Sequence, residues 1–231
     1  MAAPVGHIFL ALLLLNNYLP ERNKGKFIVG TSFPDIRYIS KKTNRETTHR
    51  KSVTLQDVQQ EPSDFQAGFL FHSLVDETRE AYMEKHKVYD MAPKSKYTSF
   101  VLKFFEDQLL YNKVKDWPQI TKYFDTIQEE EKTFGIEEQK IKRWHRFLKL
   151  YCKKQTSMKN LINLYFVCSY LYLPPTLCKA AASVMYSLSL FPAPVKEMIE
   201  VMEKVEGNEK LKKIILNFYE TFEQEILKNE A

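Results

Sequence analysis

The chain has 231 residues, 44% of them hydrophobic, a composition that excludes a disordered segment and can fill a sizeable core. Its net charge of +5 comes from 34 basic against 29 acidic residues. That excess describes a lysine-rich solvated exterior, compatible with an anionic substrate or a membrane surface, with no indication of specific nucleic-acid binding.

Cys152, Cys168 and Cys178 are odd in number, widely spaced and without a CxxC pair, so neither a disulfide framework nor a thiolate zinc site is indicated. A reducing, cytoplasmic location is therefore expected. With only 6 glycines and an abundance of Leu, Lys, Glu, Phe and Tyr, the expected fold class is all-α.

The first predicted helix runs from Pro4 to Tyr18, with Asn16, Asn17 and Pro20 as its stop. Its apolar run Ile8 to Leu15 resembles a signal-peptide core, but no Lys or Arg precedes it and no small-residue cleavage site follows. A buried first helix is the reading preferred. A basic connector, Glu21 to Lys26, then leads through Phe27-Ile28-Val29 to an expected loop from Gly30 to Ile36, in which Pro34 presents Asp35 from a fixed bend. The polar stretch Ser40 to Glu61 lacks a sustained apolar period and reads as a loop carrying His49.

Pro62-Ser63-Asp64 marks the start of a long helix reaching Lys85 or His86. Further helices are predicted over Tyr97 to Val114, Trp117 to Gln128, Ile136 to Lys153, Met158 to Leu173, Pro175 to Phe191, Ala193 to Val205 and Asn208 to Leu227. The apolar stretch from Leu161 to Phe191 is split by Pro174-Pro175 and carries Lys179. Two buried core helices suit it better than a transmembrane hairpin, and a peripheral membrane contact stays open. The whole chain, 1–231, reads as one helical domain, with the chemistry-bearing motifs within 7–76 and a helical C-terminal portion from about residue 95.

On the long helix, Phe65, Phe69, His72, Asp76 and Met83 fall within about 60° of one another at about 100° per residue. An ionisable pair therefore points where a core is expected. A buried carboxylate requires a metal ion, a cation or a hydrogen-bond network. His7, Asp35 and His49 supply further metal-ligand types, and imidazoles combined with carboxylates suit a borderline divalent ion such as zinc. Each residue also has a plainer reading. His72 and Asp76 can simply tie helices together, Asp35 can form a turn, His49 can be exposed, and His7 lies on a helix apolar nearly all round.

Arg37 and Arg50 flank Asp35 and His49, where guanidinium groups can clamp a phosphate, or be ordinary surface arginines. Glu80 reads as an exposed helix carboxylate, and His86 and His145 as structural or solvated. No Ser-His-Asp order, glycine-rich phosphate loop or nucleotide fingerprint is present.

Read together, His7, Gly30-x-x-x-Pro34-Asp35, Thr48-His49 and Gly68-Phe69-Leu70-Phe71-His72-Ser73-Leu74-Val75-Asp76 resemble the zinc-dependent phospholipase C family, related to P1 nuclease, over about the first 90 residues. A weaker likeness is to membrane-bound metal-dependent hydrolases, which share a Pro-Asp motif and a downstream His-Arg element.

The resemblance implies a multi-helix bundle around a multinuclear zinc centre that cleaves phosphoesters. Asp35, His49, His72 and Asp76 would form one zinc site, and His7 with a bridging Asp76 part of a second. Asp35 is the expected catalytic residue, as bridging ligand or base, and a phospholipid head group the favoured substrate. Only His86 and His145 follow the His-x-x-x-Asp helix, and neither begins a His-x-x-x-Glu pair, so one or two ions are implied rather than three. The alternative expectation is a non-catalytic helical module, with a structural metal or a His–Asp network, that binds a protein or membrane partner.

Overall fold

The long helix predicted from Pro62-Ser63-Asp64 is the axis of the molecule. In the computed structural model, which describes residues 2–40, 42–155 and 193–228, it spans Asp64–Lys85 (α5). The Ser63 hydroxyl accepts from the Gln66 amide, Asp64 lies in the positive first turn and Lys85 in the negative last turn. The expected stripe is buried, with Phe65 and Met83 fully enclosed, but so are Arg79 at its edge and Phe71 and Val75 beyond it. α5 is wrapped by neighbours rather than laid on a surface, which is why a single apolar stripe understates its burial.

α1 (Pro4–Asn17) is apolar nearly all round because it too is interior, packing on α5, α7 (Thr98–Leu110) and α2 (Lys24–Ser32). Its N-cap residue, Ala3, has no side chain to satisfy the first-turn amides. Asp107 of α7 does so from outside, accepting from Val5 N–H at 3.1 Å and Gly6 N–H at 2.8 Å. Tyr151 donates to the same carboxyl at 2.7 Å.

The expected loop from Gly30 to Ile36 is instead the end of α2 followed by a 3-10 turn, Pro34–Tyr38. Asn23 caps α2, and Pro34 is tolerated because it stands in the first turn of the next element. The glycine that suggested a loop has a packing role. A Cβ at Gly30 would lie 2.0 Å from the Phe65 carbonyl oxygen, and one at Gly68 would lie 2.1 Å from that of Phe27. α2 and α5 therefore cross backbone to backbone.

The polar stretch after Ser40 holds two short helices, α3 (Arg45–Thr48) and α4 (Leu55–Gln60). Each begins with a reciprocal cap, Asn44 with Thr47 and Thr54 with Asp57, so capping chemistry orders a segment that lacks apolar period. The remaining helices are α6 (Val88–Met91), α8 (Trp117–Lys122), α9 (Glu129–Lys132), α10 (Glu138–Cys152), α11 (Ala193–Glu206) and α12 (Glu209–Lys228). The helix expected over Trp117 to Gln128 is shorter, passing at Tyr123–Asp125 into a 3-10 turn.

No strand occurs among the described residues, so the fold is an all-α multi-helix bundle. None of the described helices is long and apolar enough to cross a membrane. Cys152 is a buried free thiol. The helices expected over Met158 to Leu173 and Pro175 to Phe191, with Cys168 and Cys178, lie outside the described residues.

A buried ion pair joins three of these elements. Arg79 of α5 donates from Nε to Glu106 of α7 at 2.8 Å and from Nη2 to its other oxygen, and Tyr219 of α12 donates to Glu106 at 2.6 Å. Burial works against the charge on Arg79, but Glu106 outweighs it and keeps the guanidinium protonated.

Candidate metal centre

His7 from α1, Asp35 from the 3-10 turn, His49 just after α3, and His72 and Asp76 from α5 are brought together. Ligand atoms of His7, His72 and Asp76 lie within 4.8 Å of one another, and so do those of Asp35, His49 and His72. The two groups share His72. Either can hold a metal ion.

The close crossing at Gly30 and Gly68 sets the orientation of His72. It brings the Thr31 carbonyl to 2.8 Å from His72 Nδ1, while the Thr31 hydroxyl donates to the Gly68 carbonyl at 3.0 Å. A carbonyl only accepts, so His72 carries its proton on Nδ1 and a lone pair on Nε2. His49 is held the same way. The Thr48 hydroxyl donates to the Asn44 carbonyl at 2.8 Å and so accepts from His49 Nδ1 at 2.9 Å, which makes Nε2 the lone-pair nitrogen of the neutral ring.

His7 stacks on His72 with ring centroids 3.9 Å apart. Its Nε2 is 3.3 Å from Asp76 Oδ1, and neither of its nitrogens meets hydrogen-bond geometry among the described residues. Asp76 Oδ1 also accepts from Ala2 N–H at 2.9 Å. Its Oδ2 faces His49 Nε2 at 3.3 Å, His72 Nε2 at 3.7 Å and Arg45 Nη1 at 3.7 Å.

Burial opposes the charge on Asp76, yet the histidines facing it, His72 foremost, hold its carboxyl well below the usual range when they carry the proton. Burial, reinforced by His7, pushes His72 well below the ordinary imidazole value and keeps it neutral. Asp35, its side chain 13% exposed, is raised by burial and by the neighbouring charge of Asp76. Its buried Oδ1 has no hydrogen bond among the described residues and lies 3.6 Å from Arg37 Nη2. Imidazoles that turn Nε2 inward, the neutral His72 among them, together with a carboxylate, fit a borderline divalent cation such as zinc.

Arg37 stands beside Asp35 and donates to the Tyr38 hydroxyl at 2.7 Å. Arg50 is exposed, and its backbone N–H donates to Ser73 Oγ at 3.1 Å. An open cleft of about 530 Å³ reaches Asp76, lined also by Arg45, Glu80, Tyr89 and Lys103. Arg50 does not line it.

Sequence reasoning missed Arg45 and Lys103. Arg45 precedes His49 by one helical turn, a faint local signal, but Lys103 comes from α7 and carries none. Glu80 is half-buried and accepts from Tyr89 OH at 2.8 Å, rather than standing free in solvent. His86 stacks on Tyr82, and His145 is buried against Glu131 at 2.7 Å. Neither joins the clusters.

No family model, curated protein or solved structure matches the chain. The likeness to zinc-dependent phospholipases C rests on the residues quoted above.

Proposed function

We propose that this protein is a metal-dependent, zinc-type hydrolase of phosphoesters. The observation that carries the reading is the pair of histidines, His49 and His72, whose Nε2 atoms converge beside Asp76, a residue that also lines an open cleft. A bound divalent ion supplies Lewis acidity, polarising a phosphoester and acidifying water.

Asp35, His49 and His72 would hold one such ion, and His7 with Asp76 would form a second position. Asp35 is the candidate bridging ligand or base, since its buried oxygen has no competing donor in hydrogen-bond geometry among the described residues. Arg37 would steady Asp35 and, with Arg50, is a candidate for contact with substrate oxygens.

A phospholipid head group is the substrate suggested by the likeness to phospholipases C, with soluble phosphomonoesters and diesters as the rival class. The cleft beside Asp76 supports a catalytic centre over a structural metal, whose coordination would be closed by protein. Elemental analysis of the purified protein and of His72→Ala tests the metal, and turnover of a phosphodiester panel tests the reaction. Metal in the native chain, its loss in the variant, and turnover that follows metal content are expected. No bound transition metal after growth with ample zinc would overturn the reading.

A further inference from the structure

The cleft beside Asp76 contains a cation with no direct partner among the described residues. Lys103, on α7, makes no ion pair or hydrogen bond among the described residues, yet most of its side chain is withdrawn from water, and burial lowers its affinity for the proton. Of the acids whose charge acts on it, Asp35 and Asp76 belong to the candidate metal clusters. Glu106, one turn along α7, is taken by Arg79 and Tyr219. Asp107 is taken by the amides of α1.

Among the acids lining the cleft, Glu77 accepts from Ser52 N–H at 3.1 Å, and Glu80 accepts from Tyr89. Glu84 is exposed to solvent. Arg45 is the second cation lining the cleft. Its side chain is 50% exposed and only 3.7 Å from Asp76 Oδ2, close enough to reach a ligand at the metal centre. A guanidinium fork with a partly desolvated ammonium matches a tetrahedral oxyanion, because one gives paired donors and the other a compact point charge.

We propose that Lys103 and Arg45 form an oxyanion-binding pair beside Asp76, which takes the non-bridging oxygens of a phosphoryl group. The inference deepens the phosphoesterase reading and rests on it for the choice of phosphoryl over other anions. The phosphoryl group could come from a soluble ester or from a lipid head group, and both present the same oxygens to the pair.

The test titrates inorganic phosphate into the native protein, Lys103→Met, Lys103→Arg and Arg45→Gln by calorimetry, with metal content measured on the same samples. A parallel arm measures sedimentation with phosphatidylglycerol vesicles. Loss of one charge-assisted contact should weaken binding by about tenfold or more, with metal content and melting temperature unchanged and Lys103→Arg largely restored.

Loss in the phosphate arm identifies a soluble source, and loss confined to the vesicle arm a lipid source. Either supports the pair. Binding that is absent in the native protein, or equal in all variants in both arms, overturns it. Absence of metal sinks the hydrolase reading alone, since the phosphate series still judges the pair. If Lys103→Met does not fold, Arg45→Gln, altered at a half-exposed position, decides by the same criterion.

Discussion

His49 and His72 direct their Nε2 atoms at each other across 3.2 Å, and each ring is already committed at Nδ1. Two lone pairs at that distance repel unless a cation lies between or beside them. A shared proton or a metal ion satisfies both. The burial that depresses the His72 pKa weighs against the proton.

The Thr48 hydroxyl should therefore matter to metal affinity although it touches no metal. Thr48→Val preserves the shape but cannot accept the His49 Nδ1 proton, and should weaken zinc binding by about 10- to 100-fold. Thr48→Ser should restore most of it. Competition with a chromophoric chelator measures both, and equal affinity in Thr48→Val would contradict the assigned tautomer.

Removing metal should lower stability, because the clusters join α1, α5 and the segment carrying His49. A ligand present at 100 times its Kd adds about 3 kcal/mol, so stripping it should reduce Tm by roughly 5–10 °C in a chain of this size. Thermal unfolding before and after chelation, with zinc added back, is the measurement. An unchanged Tm would count against preformed clusters.

Gly68→Ala should damage fold and site together. The added Cβ would meet the Phe27 carbonyl oxygen at 2.1 Å, which only separation of α2 from α5 relieves. A loss of about 3 kcal/mol in urea unfolding is expected. Zinc affinity should fall as well, because the Thr31 carbonyl that orients His72 moves away. Destabilisation with undiminished affinity would show that His72 is oriented by other contacts.

Asp107 gives the fold a pH dependence. Burial pushes its carboxyl up to about 7, against the hydrogen bonds from Tyr151, Val5 and Gly6 that favour the charge. The folded state then holds the proton more tightly than the unfolded chain, whose value is 3.8. The group's contribution to stability is full below about pH 4 and is lost as pH rises through about 7, by roughly 4 kcal/mol at most. Asp107→Asn should be less stable overall, since it loses an acceptor for the α1 amides, but it should lack this slope. Urea unfolding across about pH 4.5 to 7.5 compares them, and parallel curves would refute the shift.

Local patterns in the sequence carried much of the site. The period of α5 placed His72 and Asp76 on the side of Phe65 and Met83, and Ser63-Asp64 marked its start. The apolar surround of His7 was also visible, although the face it presents could not be assigned from the residues of α1 alone. Where the reading erred, it treated Gly30 as a loop residue. Its role is set by the Phe65 carbonyl, 35 positions away, which no local period reports.

Residue types and spacing along the chain were enough to establish an all-α protein with His7, Asp35, His49, His72 and Asp76 as its ligand candidates. Tertiary packing decided the rest. It set which nitrogens keep lone pairs, placed Lys103 and Arg45 beside Asp76, and made Asp107 the cap of α1. The division has a physical basis: helical period and capping act within a few residues, whereas tautomers, desolvation and cleft charge depend on atoms that only helix crossings bring within hydrogen-bond range.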